Sequence, residues 1–187
     1  VLGFYAALYV FGLIGKSQIK SYQQNESEFI AHPIMDLDYG IESSNGSLGH
    51  GLSLGAGVAL AAKLKSKDFK TYVMLGDGEC NEGSVWEAVM FASHHKLNNL
   101  IAIVDRNSMQ NDGHSKDIMN FHSFDEIWRA FGWNVKSIDG HDFQALEDGL
   151  IPEENIDKPT VVIANTVKGK GISFMENVPA WHHGALT

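Results

Sequence analysis

From Lys70 onward, short runs rich in β-branched residues alternate with stretches of helical periodicity. This alternation constrains the fold more than any other feature of the chain. Repeated strand–helix–strand units build a parallel sheet, because each helix crosses the sheet before the next strand can align in parallel. The pattern therefore predicts an α/β fold, a doubly wound parallel sheet with helices on both faces. The strands are predicted at residues 71–75, 100–105, 133–138 and 160–166.

Further helices are predicted around these strands. Residues 52–65 follow a glycine-rich loop (46–51) and are rich in small apolar side chains. Two pairs, Ser84 with Glu87 and Ser123 with Glu126, have the spacing of a capping box. In that motif the two side chains bind free backbone amides at the start of a helix. Both pairs therefore predict helix N-termini.

The first two predicted strands end in residues that can bind a cation. The first runs into Gly-Asp-Gly-Glu at 76–79, and the second ends in Asp-Arg-Asn at 105–107. Doubly wound sheets bind ligands at the carboxyl ends of their strands, so we expect Asp77 and Asn107 to direct oxygens toward one point. Magnesium takes few oxygen ligands from the protein and others from phosphate and water. Met109 offers a further carbonyl oxygen.

A phosphate group is expected at the same place. Gly76 and Gly78 would let the backbone approach it closely, and the following helix offers free amides to an anion. The alternative is that Gly-Asp-Gly is an ordinary strand-exit turn. The formal net charge of −9 bears on this choice. A chain this acidic holds a diphosphate only with local amide donors or a divalent cation.

Composition also limits partners and location. The negative charge disfavours nucleic acid and anionic membranes as partners, since no run of Lys or Arg offsets it locally. The single Cys80 rules out an internal disulfide framework, so the expected location is the cytoplasm.

The N-terminal quarter of the chain is less informative. The apolar opening, residues 2–9, is predicted to be a buried helix and not a signal peptide, because no basic segment precedes it. Since the sequence starts at Val1 within this helix, we expect that preceding residues are missing. Residues 16–45 have no sustained period, and such a long segment is expected to be functional or covered by a partner.

Residues 75–113 (LGDGECNEGSVWEAVMFASHHKLNNLIAIVDRNSMQNDG) closely resemble the thiamine diphosphate motif of the transketolase family. That motif begins with Gly-Asp-Gly and ends in an Asn after the next strand. Residues 44–51 (SNGSLGHG) are similar to the glycine-rich loop of the family. Residues 166–171 and 174–177 look like its late diphosphate-side segment. The resemblance implies one thiamine diphosphate-binding domain of the pyrophosphate type over residues 1–187.

The resemblance implies a cofactor site for thiamine diphosphate and Mg²⁺, with Ca²⁺ or Mn²⁺ as substitutes. Leu48 would pack on the aminopyrimidine end, and Lys168 would neutralise diphosphate charge. The alternatives for these two are a core leucine and a loop lysine. The metal ligands would be Asp77, Asn107 and the Met109 carbonyl. The full set of implied cofactor-binding residues is Gly46, Leu48, Gly76, Asp77, Gly78, Asn107, Met109 and Lys168.

Three further residues are implied in catalysis. His32 and His182 match histidines around the reacting carbon, and imidazoles suit proton transfer near neutral pH. Glu82 matches an acid in a carboxylate network between paired active sites. His183 competes with His182 for its role, because the doubled histidine leaves the match ambiguous by one position. The alternatives are structural histidines and a solvated acid at a helix entry.

The resemblance also implies a partner. The pyrimidine-binding domain, whose glutamate activates the cofactor and whose basic residues bind the sugar phosphate, is expected on a C-terminal transketolase subunit or domain. The assembly would be (αβ)₂ or homodimer-like. The implied activity is transfer of a two-carbon ketol unit from a ketose phosphate to an aldose phosphate.

Two other functions fit parts of the sequence, and a third is disfavoured. A related synthase of the dihydroxyacetone or deoxyxylulose phosphate type would share the diphosphate site, and a non-catalytic scaffold would share only the fold. A nicotinamide-binding domain is disfavoured, because the glycine loop at 46–51 has the pattern Gly-x-x-Gly-x-Gly and follows no clear strand.

Overall fold

The computed structural model describes residues 2–153 and 156–182. Backbone contacts divide the chain into two compact units, Val1–Ser47 and Leu48–Thr187. The expectation of a single domain stays a prediction.

The first unit builds a small apolar core. Helices α1 (Leu2–Val10) and α2 (Lys16–Lys20) are followed by a 3₁₀ turn at Leu37–Tyr39. The core side chains are spread along the unit; they are Tyr5, Leu8, Ile14, Phe29 and Ile41. Residues 16–45 therefore contribute to a core although they show no regular period. The coverage of this segment by a partner stays a prediction.

Helix α1 is present as predicted, but it is not a buried helix. Only Tyr5 and Leu8 are buried, whereas Val10 is 79% exposed. The helix is apolar all round, and a single small core can cover only one of its faces.

The second unit contains the predicted parallel sheet. Its strands are β1 (Thr71–Gly76), β2 (Leu100–Arg106), β5 (Asn134–Asp139) and β6 (Thr160–Asn165), in the order β1-β2-β6-β5. All three strand pairs are parallel. Two short strands, β3 (Met109–Gln110) and β4 (Gly113–His114), form a separate antiparallel hairpin.

Helices pack on both faces of this sheet, so the doubly wound prediction is confirmed. Helices α3 (Gly51–Leu64), α4 (Gly83–His94) and α6 (Phe124–Ala130) cover one face and enclose the main core. Helix α7 (Phe143–Leu150) packs on the other face, where Gly149 lies against Ile138 and Val162. The short α5 (Ser115–Ile118) follows the hairpin. Within the described ranges, no helix is both long and apolar enough to cross a membrane.

The predicted capping boxes do not form. Helix α4 begins at Gly83, and the Ser84 hydroxyl donates to the carbonyl of Gly49 (3.1 Å) instead of capping the helix. Helix α6 does begin directly after Ser123, but this side chain makes no capping hydrogen bond. The motif correctly predicted the positions of these two helices but not the hydrogen bonds at their N-termini.

Candidate functional site

Asp77 and Asn107 follow the carboxyl ends of the neighbouring strands β1 and β2. The two strands pair in register as far as Gly76 and Asp105. The Asp77 carboxylate accepts hydrogen bonds from the backbone N–H of Gly78 (to Oδ1, 2.9 Å) and of Ser108 (to Oδ2, 2.7 Å). Asp77 is thus bonded to the residue that directly follows Asn107.

The Asn107 side chain is held by a second carboxylate. Its Nδ2 donates to Asp105 Oδ2 (3.3 Å), and its Oδ1 accepts from the backbone N–H of Met109 (3.0 Å). Asp105 also accepts a hydrogen bond from the Thr166 hydroxyl. Sequence reasoning gave Asp105 no role. A signal was available, since Asp105 is an acidic residue only two positions before Asn107, at the same predicted strand end.

The electrostatics of Asp77 favour a bound cation. Burial raises the pKa of its carboxyl, and nearby Asp105 raises it further, whereas the backbone N–H bonds and the charge of Lys168 lower it. Because the pKa is raised in the folded chain, the protonated carboxyl stabilises the fold. This contribution is fully present at pH values below the ordinary pKa of an aspartate. This stability is lost as the pH rises through the raised pKa. The ionised form of this carboxylate is therefore disfavoured in the metal-free fold, and a cation would offset this cost.

The donor set determines which cation could fit. In the described part of the chain, no three His, Cys, Asp or Glu side chains cluster to hold a metal. A cation at Asp77 would therefore depend on amide, carbonyl and cofactor oxygens. These are the hard ligands that magnesium prefers, so the residues present fit a magnesium diphosphate. The roles of Asp77, Asn107 and Met109 as metal ligands stay predictions.

The two glycines that flank Asp77 are constrained by their neighbours. The Gly76 N–H donates to Glu79 Oε2 (3.1 Å), so this amide has an internal carboxylate partner. Gly78 has an ordinary φ of −63°, and no left-handed backbone requires glycine there. An added Cβ on Gly78 would instead lie 3.0 Å from Cγ of Gln110. Their contacts with a diphosphate stay predictions.

Two predicted residues from the C-terminal segment lie near this site. Lys168 is partly buried, and its charge acts on Asp77. The 3₁₀ turn Pro179–His182 packs beside β3, which contains the candidate ligand Met109. The rival histidine, His183, lies outside the described residues.

The remaining predicted residues fall into two groups. In the first unit, His32 lies against Gly46, whose φ is 126°; an added Cβ on Gly46 would be 2.6 Å from the imidazole Cδ2. In the second unit, Leu48 is 61% exposed, which excludes the alternative of a core leucine. Glu82 is exposed at the start of α4.

A cleft of about 270 Å³ opens beside Asp77. Arg106 contributes to its wall and is fixed by an ion pair with Asp125 (3.0 Å) and by the face of the Phe124 ring. Asp77 itself lines this cleft.

A doubly wound sheet with Asp77 and Asn107 at neighbouring strand ends defines an α/β domain suited to a magnesium diphosphate. The family model described as "Transketolase, thiamine diphosphate binding domain" matches residues 1–187. The chain therefore belongs to the transketolase family, as its thiamine diphosphate binding domain.

Individual relatives agree with this assignment. The chain is 42% identical to an apulose-4-phosphate transketolase subunit of Phocaeicola vulgatus, over 98% of this chain and 65% of the relative. It is 44% identical to the protein of the same name from Actinobacillus succinogenes, over 97% and 66%. The crystal structure of transketolase from Campylobacter jejuni superposes with a TM-score of 0.81 at 32% identity, covering 87% of this chain and 27% of that chain. This chain thus spans about two thirds of the length of these curated relatives.

Proposed function

We propose that this chain supplies the diphosphate and magnesium side of a transketolase-type transferase. The enzyme would move a two-carbon ketol unit from a ketose phosphate donor to an aldose phosphate acceptor. Bound thiamine diphosphate supplies the electron sink that carbon–carbon bond cleavage requires. The residues of this chain would bind and orient that cofactor through Asp77, Asn107 and Met109.

One observation carries this proposal. In a chain that the transketolase family model matches over residues 1–187, a buried carboxylate follows one strand and an amide oriented by hydrogen bonds follows the neighbouring strand. The cationic Lys168 acts on the same carboxylate. A scaffold would have no need for a buried carboxylate whose ionised form is disfavoured in the metal-free fold.

A complementary subunit is part of the proposal. Three of the similar proteins are named as transketolase subunits. We propose a C-terminal subunit that carries the pyrimidine-binding domain, in an (αβ)₂ or homodimer-like assembly in the cytoplasm. His32, His182 and Glu82 would then face the substrate or the paired site.

The choice of sugar is left open by the relatives. They are named for apulose-4-phosphate and for 6-deoxy-6-sulfo-D-fructose, so sugars with a terminal phosphate or sulfonate are the substrates to assay first. Both groups are anionic and would be recognised outside the acidic strand-end site, on the proposed complementary subunit.

The first test is calorimetric titration of thiamine diphosphate and Mg²⁺ into the full-length protein, by itself and with its complementary subunit. We expect binding that requires both the metal and the second subunit. Asp77→Ala should abolish magnesium-dependent retention of the cofactor, because it removes the charged ligand. Asp68→Ala, at an exposed position, is the matched control and should bind as wild type. Unchanged retention in Asp77→Ala would reject the metal site, and no binding in either mixture would favour the scaffold alternative.

A further inference from the structure

The Glu79 carboxylate links two segments that are distant in sequence. Its Oε1 accepts a hydrogen bond from the backbone N–H of Gly49 (2.9 Å), and its Oε2 accepts one from the N–H of Gly76 (3.1 Å). Both bonds are partly buried. Hydrogen bonds to an ionised acceptor are about twice as strong as neutral ones. Glu79 is not among the residues that the family resemblance implies in cofactor binding.

The Gly49 peptide is held from its other side as well. The Ser84 hydroxyl donates to its carbonyl oxygen (3.1 Å). Gly49 has a φ of +80°, and an added Cβ would lie 2.5 Å from Ser84 Oγ and 2.7 Å from Glu82 Cβ. The peptide therefore fits only as glycine, with its N–H and its C=O both bonded to the segment that follows Asp77.

These two bonds connect the two ends of the proposed cofactor site. Gly49 directly follows Leu48, the exposed leucine assigned to the aminopyrimidine end. Gly76 directly precedes Asp77, the residue assigned to the metal and diphosphate end. A single carboxylate thus fixes the position of one end relative to the other.

We propose that Glu79 is a positioning residue for thiamine diphosphate, which holds Leu48 at the correct place relative to Asp77. This inference rests on the proposed function. It predicts that Glu79 matters for a ligand that spans both ends of the site and not for one that occupies the diphosphate end alone.

The test compares two ligands on the assembled full-length enzyme with Mg²⁺: thiamine diphosphate and inorganic diphosphate. In Glu79→Gln, one oxygen is replaced by an amino group, which cannot accept a hydrogen bond from a backbone N–H. Thiamine diphosphate should bind about 10- to 100-fold more weakly, as expected for the loss of a charged hydrogen bond. Inorganic diphosphate should change by less than about threefold, because its proposed ligands are retained.

Two further variants separate positioning from a general folding role. Ser84→Ala keeps the carboxylate and should show the same selective loss, about 3- to 10-fold for the removal of a neutral hydrogen bond. Leu48→Ala combined with Glu79→Gln should lose little more than the larger single loss, because both changes act on one contact. Glu87→Gln, at an exposed position of α4, is the control and should leave both affinities unchanged.

The outcomes distinguish this inference from the function on which it rests. Equal weakening of both ligands, or additive losses for Leu48 and Glu79, would overturn the positioning role. No change in thiamine diphosphate affinity in Glu79→Gln would also overturn it. A wild-type enzyme that binds no thiamine diphosphate would reject the proposed function itself.

Discussion

At the scale of single residues, the site combines a destabilising charge with groups that partly compensate for it. Asp77 is buried, and its ionised form is unfavourable in the metal-free fold. Two backbone N–H groups and Lys168 favour that ionised form. The remaining cost is what a divalent cation would remove, so metal binding and folding of this strand end are expected to be coupled.

Ser108, next to Asn107, has an unfavourable backbone conformation. Its φ of 60° is left-handed, which is unfavourable for a residue with a Cβ. We predict that Ser108→Gly stabilises the chain by about 0.5–1 kcal/mol, the net of relieved strain and the greater freedom of glycine in the unfolded state. The N–H that binds Asp77 is retained, so magnesium-dependent cofactor binding should not change.

Thermal denaturation of the assembled enzyme measures this effect. Ser53→Gly, at an exposed position inside α3, is the matched control and should lose about 0.5 kcal/mol through helix propensity alone. A loss of stability in Ser108→Gly similar to that of Ser53→Gly would show that the left-handed serine is not strained.

The sequence was sufficient to place Asp77 and Asn107, because parallel strands end at the same edge of a sheet and residue numbers alone locate those ends. It was not sufficient for Glu79. The partner of its Oε1, Gly49, is 30 positions away in another loop, and no periodicity or motif specifies that contact. The Ser84 hydroxyl was misassigned for the same reason, since a tertiary partner replaced the local cap.

At the scale of elements, each end of the four long strands was predictable to within one residue, because apolar runs bounded by turns identify them. Strand β6 is buried at its first five residues, which is typical of a central strand of a parallel sheet. The β3–β4 hairpin was missed because each strand has two residues. The Asn111-Asp112 turn before Gly113 was its only local signal.

Helix α3 gives a prediction at this scale, because two of its glycines have opposite surroundings. An added Cβ on Gly55 would lie 2.3 Å from Cγ2 of Val73 on β1, whereas one on Gly57 would meet nothing within 4 Å. Gly57→Ala should therefore stabilise the chain by about 1 kcal/mol through helix propensity. Gly55→Ala should destabilise it by about 1–2 kcal/mol, since the stiff Val73 side chain resists overpacking.

Denaturant unfolding measures the change in unfolding free energy of each variant, and each variant serves as the control of the other. Destabilisation of both variants would mean that helix propensity does not govern Gly57. Stabilisation of both would mean that α3 can move away from β1 at little cost.

At the scale of the whole molecule, the first unit exposes more apolar surface than one small core explains. Within twelve residues of chain, six large apolar side chains are exposed, namely Leu2, Phe4, Tyr9, Val10, Phe11 and Leu13. Exposed apolar patches commonly mark protein–protein interfaces. The all-round apolar character of α1 is consistent with one face in the core and another against a second chain.

We predict that the proposed complementary subunit binds this surface of the first unit. Val10 and Phe11 are 79% and 81% exposed, so replacing both with Lys should change the unfolding free energy of the separate chain by less than about 0.5 kcal/mol. Assembly of the full-length protein with the subunit should weaken by at least about tenfold, because buried apolar contacts at an interface are lost. Sedimentation velocity at several concentrations measures the affinity of this assembly.

Phe143→Lys, at an 87% exposed position of α7, is the control and should assemble as the wild type does. Equal assembly of the wild type, the double Lys variant and Phe143→Lys would contradict the prediction. The exposed apolar residues Val10 and Phe11 would then have no role in binding the second chain.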